Sequence, residues 1–437
     1  MNHRNRSSRM SARMFALIWA ASTATTLGCE ENASVAPDDT AYGSASSRTA
    51  SLEPDLLELL PLQQQATFTT VFTAPLATEG LTADRAGNLY SAGRGGNPCP
   101  VWRVPSAGGP AVVVGNIPSP CSPNGLAFDE SGALYVTDGG DKIYKLIPNE
   151  TTPPVGALFA AGVPGGNGVA FDRRGNLWVT DGGTSQGRVF SVDPAGVVTE
   201  RFRVQPLANV VNVVTTTPDG GTPTDTGGVG RDPRALPPGT LAITPTSRTA
   251  NNTAGSVAIV ANGIAFTPHG TLLISDTARG VIWRVEIDGA GNVRSSMGCD
   301  TTFSPNTLCL ENVFVAHPAL EGLDGIALDT AGNIWGLANE RNAIVFVTRF
   351  GGVYQLFRNP VDAVSQLRNA GPLEFPTSPF LVDRKLCIAQ TDVARRDNFP
   401  NSAGEVGSGV ATVAKISCLD QPLPRRGLPL PFGSRAP

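Results

Sequence analysis

The 437-residue sequence is short of histidine, methionine and charge: it holds 3 His, 4 Met and only 16% Asp, Glu, Lys and Arg. So few histidines leave little room for a zinc enzyme. A charged fraction well under the usual roughly 25% argues against a long charged helix, a coiled coil or a nucleic-acid tail. The net charge of -4 offers nothing to a phosphate backbone, and no nucleic-acid partner is expected. No Cys-x-x-Cys pair or Cys/His cluster with metal spacing occurs, which speaks against a zinc or redox role. Beyond the first 28 residues no apolar run approaches the roughly 20 residues of a membrane helix. What is plentiful is turn chemistry, with 49 Gly and 36 Pro, and that balance fits a turn-rich, all-β protein.

Residues 1–28 read as a lipoprotein-type signal peptide. Arg4, Arg6, Arg9 and Arg13 precede a short apolar stretch, which ends in Thr26-Leu27-Gly28 before Cys29. Cys29 is the expected lipidation site, with Thr26 at the position where the lipoprotein box usually has Leu. The chain is therefore expected to be exported as a membrane-anchored lipoprotein of a bacterial envelope. It would be secreted or periplasmic if Cys29 carries no lipid, and contact with the membrane is expected only through that anchor. Residues 29–65, rich in Ser, Ala, Pro and acid, suit a flexible tether. The remaining cysteines are even in number, as an oxidising compartment favours. Paired as sequence neighbours they give Cys99 with Cys121, Cys299 with Cys309 and Cys387 with Cys418, although six cysteines formally admit other connectivities.

The chain repeats. EGLTADRAGNLYSAG from Glu79, NGLAFDESGALYVTD from Asn124, NGVAFDRRGNLWVTD from Asn167, NGIAFTPHGTLLISD from Asn262 and DGIALDTAGNIWGLA from Asp324 share one pattern, and SPFLVDRKLCIAQTD from Ser378 is a weaker sixth copy. Each copy is an apolar run, a turn and a second β-branched or aromatic run, followed by a third and usually a fourth short strand. Six such units make a six-bladed β-propeller of four-stranded antiparallel blades over residues 66–420. The last copy ends after its third strand, whereas ATFTTVFTA at 66–74 precedes the first hairpin, so this N-terminal strand is expected to close the last blade. A Gly-, Pro- and Thr-rich insertion lies within 204–260, and 421–437 forms a Pro-rich tail.

Five residues before Asp84, Asp129, Asp172, Thr267, Asp329 and Asp383 stand Glu79, Asn124, Asn167, Asn262, Asp324 and Ser378. In a propeller the innermost strands line the central channel, so these residues converge at one end of it. Two carboxylates buried together are costly without compensation. A set of hard oxygen donors lacking Cys and His suits Ca²⁺, or another divalent cation bound by oxygen, better than Zn²⁺. Asp138, Asp181, Asp276 and Asp392 recur after the second strand, where a turn-capping role is expected. Arg94, Arg279 and Arg341 occupy neighbouring loops and are expected at the solvated surface.

These residues resemble the senescence-marker-protein and gluconolactonase (regucalcin-like) family of calcium-dependent six-bladed hydrolases. Glu79-Gly80, Asn167, Asn262-Gly263 and Asp324-Gly325 match its metal positions in order. The resemblance implies Ca²⁺ held by Glu79, Asn167, Asn262 and Asp324, with Asp324 also the catalytic proton acceptor. Asn124 and Ser378 are additional pocket candidates. The hairpins alone are also similar to NHL-type propellers and to streptogramin lyases. The lyases rely on a histidine base, whereas His269 sits in a turn here and His317 is expected to pack. The resemblance implies an exported, monomeric hydrolase of a small-molecule lactone or other ester. The alternative is a non-catalytic, NHL-like propeller binding a protein or glycan at the cell envelope.

Overall fold

The computed structural model describes residues 66–106, 108–184, 186–205, 214–215, 224–225, 259–301, 303–359, 372–393 and 413–428. Residues 1–65, which hold the expected signal sequence, Cys29 and the expected tether, lie outside the described residues. So does most of the insertion, apart from a short ribbon that pairs Val214–Thr215 with Thr224–Asp225.

Six four-stranded antiparallel sheets follow one another as the blades of a propeller. The innermost strands are Thr82–Ala83, Pro123–Phe128, Gly166–Phe171, Ile264–Phe266, Leu323–Leu328 and Pro376–Val382. In the first five blades the sheet runs outward in chain order. In the sixth, the N-terminal strand Phe68–Thr73 supplies the outermost position, pairing Thr69 with Cys418 and Thr73 with Lys415.

The inner hairpin has a sequence reason. Where the first strand turns back, five residues intervene between paired positions, as between Leu328 and Ile334. The aspartate that opens the turn ties it together. Asp329 Oδ1 accepts from the Ala331 and Asn333 amides, and Oδ2 accepts from Asn333 Nδ2 at 3.0 Å and Trp335 Nε1 at 3.4 Å. Asp84 and Asp172 repeat the scheme with Tyr90 Oη and Trp178 Nε1. The glycine three residues on adopts φ of +81° to +89° in these turns, a conformation that side chains disfavour. The repeated Asp-x-x-Gly-Asn-x-aromatic pattern is thus a self-contained hydrogen-bonded turn.

One apolar cluster fills each blade interface. Trp178, Phe202, Ile274 and Trp283 join blades three and four, and Trp335, Phe346, Leu386 and Ile388 join five and six. Leu81, Val104, Ala389 and Ile416 join blade six back to blade one. Blades packed face to face in this way leave few sites for charge, which accounts for the composition.

Disulfides link Cys99 to Cys121, Cys299 to Cys309 and Cys387 to Cys418, the last between residues paired in register within blade six. The first part of the Pro-rich tail packs on the turn end of the propeller. Thr330 donates to Arg426, Gly427 to Asp383 and Leu428 to Leu328, all through backbone amides. Leu428 there borders an apolar cavity of about 170 Å³ walled by the inner strands of all six blades.

Candidate metal centre

The strand starts lie at the opposite end of the inner strands from these turns. A glycine follows each of the first five axial residues, and close approach explains it. A Cβ on Gly80 would lie 2.0 Å from the Asn124 carbonyl oxygen. On Gly125 it would be 2.2 Å from that of Asn167, on Gly168 2.3 Å from that of Asn262, and on Gly263 2.5 Å from that of Asp324. Each glycine therefore lets its strand press against the backbone of the next axial residue. Hydroxyls seal the same joints: Thr137 donates to the Asn167 carbonyl at 2.9 Å, Thr180 to that of Asn262 and Ser275 to that of Asp324, both at 2.5 Å. With backbone carbonyls so occupied, the axial side chains are left to face the opening.

In blade six the register differs from the sequence reading by one residue. The Gly325 Cβ position faces the Thr377 carbonyl at 2.5 Å, and Thr377 Oγ1 donates to the Glu79 carbonyl at 2.7 Å, closing the ring. Thr377 is therefore the axial equivalent, and Ser378 occupies the glycine position. The cause is the turn: Val382 pairs directly with Lys385, leaving a two-residue loop with Asp383 at φ +53°. Counting back from Asp383 as from the five-residue turns lands one residue late. Ser378 does line the cavity of about 70 Å³ between the strand starts, together with Asn167 and Asn262.

Three of the axial groups are buried, Asn262 at 1% exposed, Asp324 at 4% and Asn124 at 7%, whereas Glu79 and Asn167 are half-buried. Burial, then the neighbouring carboxylate of Glu79, push the Asp324 carboxyl well above the ordinary carboxylate range, against hydrogen bonds from Asn339 and Asn262. Asn339 Nδ2 donates to Asp324 Oδ2 at 2.8 Å, Asn262 Nδ2 to Thr277 Oγ1 at 3.0 Å and Asn124 Nδ2 to the Gly166 carbonyl at 2.8 Å. In all three amides the nitrogen is satisfied, while the buried Oδ1 has no hydrogen-bond partner. These orphaned amide oxygens and the buried Asp324 carboxyl leave lone pairs that nothing among the described residues fills. An oxygen-liganded divalent cation fits that deficit. Among the described residues no cluster of three or more His, Cys, Asp or Glu offers another metal arrangement.

Arg94 Nη1 pairs with Glu79 Oε2 at 2.6 Å, and the Nε and Nη2 atoms of Arg94 donate to Ser122 Oγ at 3.2 and 3.1 Å. The sequence reading assigned Arg94 to solvated surface and did not single out Asn339 or Thr277. The three share one signal, a fixed offset of 15 residues from the axial residues Glu79, Asp324 and Asn262. In blades two and three the same offset falls on Gly139 and Gly182, where a Cβ would lie 3.0 and 2.5 Å from the Asn124 and Asn167 amide nitrogens.

Arg279 and Arg341 are not free surface cations either. Arg279 pairs with buried Asp276 at 2.8 Å, and Arg341 lies 3.7 Å from Glu321. Asp181 and Asp276 cap their turns through the Thr184 and Arg279 amides, whereas Asp138 accepts from Ser122 and Asp392 from Val413. His317 Nδ1 accepts from the Ala319 amide, capping a short 3-10 turn, and burial followed by Arg341 lowers its pKa. His269 lies at the turn end with Arg173 and Asp288, away from the axial oxygens.

Comparison with known proteins bears on this site. Residues 209–372 match the model of the SMP-30/Gluconolactonase/LRE-like region. That match covers less than half of the chain. That span contains Asn262 and Asp324, while Glu79 and Asn167 lie before it. The fold is similar to that of regucalcin from Agrobacterium tumefaciens, a calcium-binding protein (TM-score 0.50, 16% identity, 83% of this chain and 96% of that one). A gluconolactonase from Xanthomonas campestris aligns with TM-score 0.49 and 15% identity over 84% of this chain and 93% of its own. Virginiamycin B lyase from Staphylococcus aureus aligns with TM-score 0.44 and 12% identity over 81% and 98%. At 16% identity the likeness to regucalcin bears on the fold alone. None of the curated proteins compared with the chain matches it by sequence.

Proposed function

We propose that the protein is a calcium-dependent hydrolase of gluconolactonase type, acting on a lactone or other ester at the axial oxygen ring. The observation that carries this reading is the pairing of a buried Asp324 carboxyl with amide oxygens that lack any donor. Glu79, Asn167, Asn262 and Asp324 are the residues that would hold the cation. When bound, it would supply Lewis-acid polarisation of the ester carbonyl. The protein's own part is positional and protolytic. Asn339 orients the Asp324 carboxyl through Oδ2, and Asp324 takes the proton from the water whose oxygen attacks the carbonyl carbon. As the ester C–O bond breaks, that proton passes to the leaving oxygen. On this proposal the activity lies outside the cytoplasm, tethered by lipid on Cys29.

The test joins metal analysis to turnover. Purified protein is expected to hold calcium, to melt at a lower temperature in EDTA, and to open members of a lactone and ester panel only with the cation restored. Asp324→Asn should reduce turnover by at least about 10³-fold while keeping the β-sheet circular dichroism. A calcium-free protein whose melting ignores EDTA would overturn the proposal. Calcium binding with no hydrolysis across the panel would favour the non-catalytic reading, a structural cation in an envelope binding protein.

A further inference from the structure

We propose that Arg94 is the resident counter-ion of the axial ring, and that a divalent cation entering the ring displaces its guanidinium from Glu79. The inference rests on the metal reading above, and it concerns a residue which that reading does not use as a ligand.

Three observations point to it. Of the five residues at the shared offset, Arg94 alone is charged: the others are Gly139, Gly182, Thr277 and Asn339. Its Nη1 contacts Glu79 Oε2 at 2.6 Å, so one axial carboxylate oxygen is taken by a cation that cannot lose its proton. The guanidinium is also held from the other side. Nε and Nη2 both donate to Ser122 Oγ, and the Ser122 amide is fixed by Asp138 Oδ1 at 2.7 Å. Arg94 can thus release Glu79 while keeping two hydrogen bonds. Its side chain is 32% exposed against 14% for Glu79, so the displaced group moves toward water and not into the core. A divalent ion beside an immobile guanidinium would meet like-charge repulsion at short range, and release of Glu79 relieves it. The calcium affinity of the ring is therefore set by a competitor built into blade one.

Calorimetric titration of calcium into chelator-treated full chain tests this with wild type, Arg94→Gln and Arg94→Lys. Arg94→Gln should bind calcium at least about tenfold more tightly than wild type, with Arg94→Lys nearer wild type. Guanidinium chloride at a non-denaturing concentration, against equal sodium chloride, should weaken binding by Arg94→Gln and leave wild type unaffected, because the soluble ion refills the vacated place. A calcium-loaded crystal structure should show Arg94 Nη1 beyond 4 Å from Glu79, on the order of a lost ion pair. If wild type and Arg94→Gln bind calcium equally, or Arg94→Gln binds more weakly, the inference fails and the metal reading stands. If neither binds calcium, the metal reading fails with it.

Discussion

At the scale of single residues, the axial ring is a place where the fold tolerates the cost of a buried carboxyl. Burial raises the pKa of Asp324, so in the interval between the ordinary carboxylate value and the raised one the folded chain holds a proton that the unfolded chain has lost. Stability from this group is full at low pH and declines as pH rises through that interval. In EDTA, Asp324→Asn should therefore melt above wild type at pH 7, with the difference shrinking as the pH falls. Thermal melts across pH 4 to 8 decide this, and a variant that melts lower at pH 7 would contradict it. Burial shifts Asp181 and Asp276 in the same direction, but both chains share them and they cancel in the difference. The placement of Glu79, Asn124, Asn167, Asn262 and Asp324 at the strand starts was legible in the sequence because one offset links them to a recurring turn. Their partners were harder to read. Arg, Gly, Gly, Thr and Asn occupy one geometric position without sharing a chemistry, so only the constant separation could have revealed them.

At the scale of elements, the inner hairpin is a unit whose stability is concentrated in one side chain. Asp329 satisfies two amides, a carboxamide and an indole, three of these four hydrogen bonds being buried. Asp329→Ala is expected to destabilise the fold by roughly 3 kcal/mol, because several buried donors lose their acceptor together. Chemical denaturation should show a lowered midpoint with little change in slope. Gly263→Ala should cost about 1–3 kcal/mol through collision with the Asp324 carbonyl, and it should weaken calcium binding as well by moving that residue. Five hairpins were readable because the same turn is written five times. The sixth uses a two-residue turn in which Asp383 only imitates the usual first position, and register inferred by counting slipped by one residue. A period-two strand offers no internal mark against such a slip.

At the scale of the whole molecule, the ring is closed by pairing the first described strand with the last, and Cys387–Cys418 bridges the two strands inside that closure. Replacing both cysteines with alanine should lower stability by about 3 to 4 kcal/mol on the loop-closure relation for a separation of 31 residues, measured as a shift in the denaturation midpoint. The six blades and the closing strand followed from the repeat, and the three cysteine pairs from their adjacency in the sequence. The seating of Leu428 against the axial cavity did not, since a proline-rich tail carries no periodicity to place it. The contacts between each glycine and the next strand's carbonyl have a further consequence. They make the bore of the opening a property of peptide dimensions, independent of which side chains stand around it. Like a lens mount of fixed diameter, the ring can exchange its fittings, carboxylate for amide or amide for hydroxyl, without being reground. Substitutions at positions 79, 124, 167, 262 and 324 should thus change what the opening holds long before they change its width.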